Sequence, residues 1–148
     1  MKWVTRRTIR VNRAATAWLI RRFVDESAEF VFVDPSEVAA VQTRDGAIGF
    51  DAPGATYPHQ DDRGRTSFEV IAAKYCFSDP ALREMGRVVG SADIEARIGE
   101  TAEGAGLRAI CRGFPLVTAD DHDTLARSAF VFDALYASIV ATLHAEPE

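Results

Sequence analysis

The sequence predicts an α+β fold: one mainly helical domain spanning residues 1–148, with a small β-sheet. Three observations carry this. Apolar residues recur at three- and four-residue spacing through most of the second half, a β-type run (EFVFV) follows an Ala-rich helical run in the first third, and residues 44–65 are dense in Gly and Pro. A length of 148 residues with 47% hydrophobic content suits a single core. Charged residues at 26% and aromatics at 9% exclude collagenous, mucin-like and disordered compositions.

Residues 1–9 are short and β-tolerant (Trp3, Val4, Thr5), which predicts a first strand or extended arm. A helix follows from Asn12, a permissible N-cap, through NRAATAWLIRRFV, with Ala15, Leu19 and Phe23 at four-residue spacing beside Trp18. Glu29 to Val33 reads as a strand stopped by Asp34-Pro35, and Pro35 opens a short helix to about Gln42. The Gly/Pro-rich stretch leaves room for two short strands, near Ala47–Phe50 and Thr56–Tyr57. Thr66 to Tyr75 carries Phe68, Ile71, Ala72 and Tyr75 on one helical face, and Ser78-Asp79-Pro80 starts another helix to about Gly90. A helix near Ala102–Arg112 is weakened by Gly104 and Gly106. The last, Ala119 to His144, is the longest and most periodic, and Thr118 with Asp121 resembles a capping box at its start.

No stretch reaches the roughly 18 uninterrupted apolar residues of a bilayer span, and the basic N-terminus has no unbroken apolar h-region. The expectation is a cytoplasmic protein without a membrane partner. Two cysteines, Cys76 and Cys111, with no CxxC spacing make neither a disulfide framework nor a thiolate zinc site, and read as reduced core residues. The formal charge of −5 conceals an asymmetry: residues 1–24 hold seven basic side chains and no acid, leaving 10 basic against 22 acidic in the remainder. Such a segment is a solvated cationic face, a nucleic-acid patch or a pocket for a small oxyanion. An acidic chain without helix-turn-helix, zinc-finger or RNP signatures argues against direct nucleic-acid binding. Arg21 and Arg22, adjacent on a helix behind Trp18, offer planar donor forks suited to a tetrahedral oxyanion.

His59 lies in a loop with Asp61 and Asp62, a pattern that serves acid/base work or divalent-metal ligation, and Glu69 on the next helix is the nearby acid that completes a three-ligand set. His122 sits among helix-capping acids, and His144 has no assigned role. Asp133 sits on an apolar helical face with Tyr136 one turn on, and a carboxylate there wants a cation. Arg21 or Arg22 is the expected partner. Walker loops, GxGxxG, GxSxG and HExxH are absent.

Taken together, Trp3-Val4-Thr5-Arg6, Ala17-Trp18-Leu19-Ile20-Arg21-Arg22-Phe23, Ala28-Glu29-Phe30-Val31, Phe50-Asp51-Ala52-Pro53-Gly54 with His59, Ser67-Phe68-Glu69 and Asp133-Ala134-Leu135-Tyr136-Ala137 resemble the chromate-resistance ChrB C-terminal domain family, over nearly the whole chain and in the family's order. The resemblance implies a role linked to chromate resistance, full-length members acting as chromate-responsive regulators with an additional N-terminal region. This chain resembles the stand-alone form. It departs from the family where a Cys-Pro is replaced by Thr16-Ala17 and a Cys by Thr66, which removes thiol chemistry at both positions. The leading expectation is a sensor or accessory domain that binds chromate. Trp18, Arg21, Arg22, His59, Asp133 and Tyr136 form its ligand set, with His59 as a switchable donor. The alternatives are a detoxification or oxidative-stress enzyme using a divalent metal on His59, Asp61, Asp62 and Glu69, and an interaction module that docks on a second copy or a separate regulator.

Overall fold

A computed structural model describes residues 1–145. The first strand, β1 (Lys2–Arg6), lies in the middle of a three-stranded sheet of order β2-β1-β3. Both neighbours are parallel to it: β2 (Glu29–Val33) aligns Lys2 with Glu29 through Arg6 with Val33, and β3 (Ile48–Gly49) aligns Trp3 with Ile48 and Val4 with Gly49. Parallel neighbours need crossovers, and α1 (Val11–Leu19) and α2 (Val38–Asp45) supply them. A central strand covered on both faces cannot alternate in polarity. Trp3, Val4 and Thr5 are accordingly all buried, Trp3 toward the large helical core and Val4 toward Val38 and Val41 of α2.

The other helices build the large core. Helix α3 (Ser67–Tyr75) opens on a complete capping box, in which Thr66 Oγ1 accepts from the Glu69 amide and the Glu69 carboxylate accepts from the Thr66 amide. Helix α4 (Pro80–Asp93) is capped by Asp79 with Pro80 at its first position, α5 (Gly104–Val117) lies across α4, and α6 (Asp121–Leu143) closes over α1, α4 and α5. The mainly helical α+β class predicted above is the observed one. Among the described residues α6 is the helix with the length and hydropathy of a membrane span, a window of mean hydropathy 1.3. It sets Leu125, Phe132 and Ile139 into the core, as the covering helix of a folded domain does.

Local departures from expectation have identifiable causes. Arg10, not Asn12, precedes α1, because Asn12 is buried and its Nδ2 donates to Ser67 Oγ at 3.1 Å. The strand expected at Thr56–Tyr57 is a single bridge between Phe50 and Tyr57. Helix α5 runs through Pro115 to Val117, since a proline near a helix end forfeits only one backbone bond. At the start of α6, Asp120 is the cap instead of a Thr118–Asp121 box. The Asp121 carboxylate has gone elsewhere: it accepts from the amides of Thr8 (2.9 Å) and Ile9 (2.8 Å), holding Thr8 at φ +64, a conformation β-branched residues rarely adopt.

Candidate functional site

Residues Ile20–Val24 continue α1 as a π-helical turn, with the Asp25 amide donating to the Ile20 carbonyl at 2.7 Å. Such turns recur at functional positions because they redirect consecutive side chains. Here the turn carries Arg21 and Arg22. The Arg22 guanidinium lies over the rings of Trp18, Phe23 and Tyr136 at 5.5, 5.1 and 5.0 Å, and its Nη1 donates to Asp133 Oδ1 at 2.9 Å. Trp18 Nε1 donates to the same oxygen at 2.9 Å. The Arg22–Asp133 pair expected from the sequence is therefore formed, and it ties α1 to α6. Arg21 turns the other way: it stacks 4.8 Å over Phe30 and donates to the Ala28 carbonyl at 3.3 Å. Trp18, Arg21, Arg22, Leu125 and Asp133 border a cavity of about 180 Å³. That is about six times the ~30 Å³ share of one liquid water, which leaves room for a four-oxygen anion.

Five of the seven N-terminal cations are neutralised within the fold: Lys2 by Asp45, Arg6 and Arg13 by Asp51, Arg7 by Asp34 and Arg22 by Asp133. Arg10 and Arg21 pair with no carboxylate among the described residues. The basic segment thus serves mainly as an internal counter-charge, and of its two uncommitted guanidiniums Arg21 borders the cavity.

His59 does not. Its Nδ1 lies 2.7 Å from Asp51 Oδ1 and 3.6 Å from Asp93 Oδ2, in a separate polar cluster. Asp51 is 1% exposed and sits at φ +49, one of the few conformations in which a short polar residue replaces glycine. Arg6 grips it twice, through Nε to the Asp51 carbonyl (2.8 Å) and Nη2 to the carboxylate (3.3 Å), and Arg13 reaches the other oxygen at 3.4 Å. Asp93 Oδ2 and Arg13 Nε are buried without hydrogen-bond partners. Burial, then the neighbouring Asp51, push the Asp93 carboxyl above the usual range, and burial holds Arg13 below its ordinary value. The single pocket expected to unite Arg21, Arg22 and His59 is therefore two places: an open cavity and a closed ionic lock. The lock was missed because Arg6, Arg13, Asp51 and Asp93 come from four separate segments. The signal present was the FDAPG turn, whose Asp precedes a Pro-Gly pair.

The hydrogen bond that His59 Nδ1–H donates to Asp51 raises the His59 pKa, against the lowering effect of burial. A raised folded-state value means that the folded chain holds this proton more tightly than the unfolded chain. The resulting stability is fully present below the unfolded histidine value of about 6.5 and is lost as pH rises through the folded value. Melting midpoints followed by circular dichroism are expected to fall across that window, and the fall is expected to flatten in His59→Gln.

The metal set of His59, Asp61, Asp62 and Glu69 does not converge. Asp61 accepts from Arg65 Nε at 2.8 Å and from the amides of Arg63 and Arg65, and Asp62 is exposed. Glu69 is clamped by Arg97 through Nη1 at 2.6 Å and Nη2 at 3.1 Å while it completes the α3 cap. Among the described residues no three His, Cys, Asp or Glu side chains form a group able to hold a metal ion. Thr16 and Thr66 are fully buried at the α1–α3 junction, Thr16 Oγ1 lying 3.1 Å from Ser67 Oγ. Both hydroxyls therefore have structural hydrogen bonds. Tyr136 donates to Asp79 Oδ2 at 2.8 Å, linking the start of α4 to the Trp18–Arg22 cluster.

No solved structure matches the chain significantly. The model of the ChrB C-terminal domain matches residues 3–139. Protein ChrB of Cupriavidus metallidurans is 35% identical over 136 residues, covering 91% of this chain and 40% of that protein. The chain spans less than half the length of this curated relative. The family match takes in nearly all of β1, the π-helical turn, Asp51, the α3 cap and Asp133, and on that coverage the chain belongs to the ChrB C-terminal domain family.

Proposed function

We propose that this domain is a cytoplasmic sensor or accessory module in chromate resistance that binds a tetrahedral dianion in the Arg21–Arg22 cavity. The observation that carries the reading is Arg21: it borders a cavity sized for four oxygens, and its guanidinium, now over Phe30, has no carboxylate partner among the described residues and is free to swing toward an anion there. Arg22 supplies the second fork, and its present partner Asp133 is half exposed, so it can give way to a doubly charged competitor. Trp18 is then both wall and reporter, because its indole N–H shares the Asp133 oxygen with Arg22. An incoming oxyanion takes donors from Asp133 and loosens the tie between α1 and α6, a local exchange of partners of the kind that drives ligand switches.

Isothermal titration with chromate tests this. Arg21→Ala is expected to weaken binding about tenfold or more, the loss of one charge-assisted contact, with the melting midpoint lowered by only a few degrees through loss of the Phe30 and Ala28 contacts. Equal affinity in the variant and the parent chain contradicts the reading. A second reading, docking on a partner or a second copy, draws on Leu116, Val117 and Phe130, which are 84%, 66% and 77% exposed on α5 and α6. Sedimentation equilibrium of the parent chain and Phe130→Ser decides it, a self-association lost in the variant supporting it and a monomer at all concentrations removing the second copy.

A further inference from the structure

The geometry points to a second ligand site, for a small aromatic carboxylate, in the groove between α3 and α4. The groove encloses about 330 Å³, within the range of about 300–1,000 Å³ that small-molecule pockets occupy. Its apolar floor is lined by the buried Ala72 of α3 and Leu82 of α4, with Ala73 exposed beside them. Gly86 lines the groove where the two helices approach closely: a methyl there would stand 3.0 Å from Glu69 Cγ. At the lip Phe77 is 74% exposed, a flat apolar plate in the turn joining the helices that stacks on no other ring among the described residues.

The rim is cationic. Arg65, Arg83 and Arg87 border the groove. Arg65 and Arg87 are each held by one carboxylate, Asp61 and Glu84, whereas Arg83 has none among the described residues. Arg83 Nη2 instead donates to the Phe77 carbonyl at 3.1 Å, which sets its guanidinium beside the aromatic lip. The two acids that reach the groove are already engaged, Glu69 by Arg97 and Asp79 by the Leu82 amide (3.0 Å) and the Tyr136 hydroxyl (2.8 Å). An inorganic oxyanion would leave the floor empty, and a neutral hydrocarbon would leave the guanidiniums unanswered. A ring bearing a carboxylate satisfies both, with the ring against Phe77 and Ala73 and the carboxylate on Arg83. This site shares no lining residue with the Arg21–Arg22 cavity, so it stands or falls on its own.

The groove carries its own reporter. Cys76 lines it and is half buried, while the other thiol, Cys111, is fully buried and its pKa is pushed up by burial to about 12. Alkylation by iodoacetamide, counted by intact mass, therefore reads Cys76. With 1-naphthoate as probe, alkylation is expected to slow in a saturable manner. Sulfate and 1-naphthalenemethanol at equal concentration are expected to leave it unchanged. In Arg83→Gln/Arg87→Gln the half-protecting concentration is expected to rise about tenfold, the equivalent of one charge-assisted hydrogen bond at an exposed rim. Absence of protection by naphthoate, equal protection by the alcohol, or an unshifted midpoint in the double variant overturns the assignment. Should the double variant melt lower than the parent, Arg83→Gln alone decides, since Arg83 breaks no ion pair.

Discussion

Replacing Asp51 by alanine is expected to cost about 3–5 kcal/mol, on the order of 10 °C in melting midpoint for a chain of this length. The carboxylate is 1% exposed and is the shared acceptor of Arg6, Arg13 and His59. Removing it leaves Arg13, 13% exposed, as a buried cation with the Thr8 carbonyl as acceptor and Asp93 as its one remaining acidic neighbour among the described residues. Asp51→Asn separates charge from shape, because asparagine tolerates the positive φ and keeps the Arg6 bond to the backbone carbonyl. It is expected to be destabilised less than the alanine variant and to lower the His59 pKa, readable from the imidazole shift in proton NMR. An Asp51→Ala protein that melts with the parent would show the lock to be incidental.

Arg97→Ala is the second large effect, about 2–3 kcal/mol. Arg97 and Glu69 are each only 17% exposed, and the guanidinium fits because α4 carries glycine at position 90, where a methyl would stand 2.4 Å from Arg97 Nη1. Without Arg97 the Glu69 carboxylate keeps its α3 cap but loses its counter-charge. Glu69→Gln retains a capping-box residue and is expected to cost only about 1 kcal/mol. Chemical denaturation of the two variants gives the order directly. A Glu69→Gln variant less stable than Arg97→Ala would mean that an Arg97 deprived of the Glu69 charge costs the fold more than a Glu69 deprived of Arg97.

The sequence exposed what is local. Helix α3, the Asp79-Pro80 start of α4 and the EFVFV strand were legible because each is encoded within a few residues. The Arg22–Asp133 tie was legible too, since a carboxylate on an apolar helical face needs a cation and the acid-free N-terminus was the supply. Glu69 was misjudged as a ligand because its true partner, Arg97, lies 28 residues on in a short 3₁₀ turn with no periodic signature. His59 was grouped with Asp61 and Asp62 by proximity in sequence, whereas the fold turns it toward Asp51 and Asp93. The π-helical turn left no compositional mark at all, since IRRFV reads as an ordinary helix end.

The most direct test of the account follows the two indole N–H signals of the uniformly ¹⁵N-labelled chain during addition of chromate. Trp18 Nε1 donates to Asp133 at 2.9 Å beside Arg22, and Trp3 Nε1 donates to Asp25 at 3.1 Å, neither Trp3 nor Asp25 being among the residues that border the Arg21–Arg22 cavity. A saturable shift of the Trp18 indole, an unmoved Trp3 indole and loss of the Trp18 response in Arg21→Ala are expected if chromate binds at Arg21 and Arg22. A Trp18 signal that stays in place while chromate binds, or that moves equally in Arg21→Ala, would contradict it.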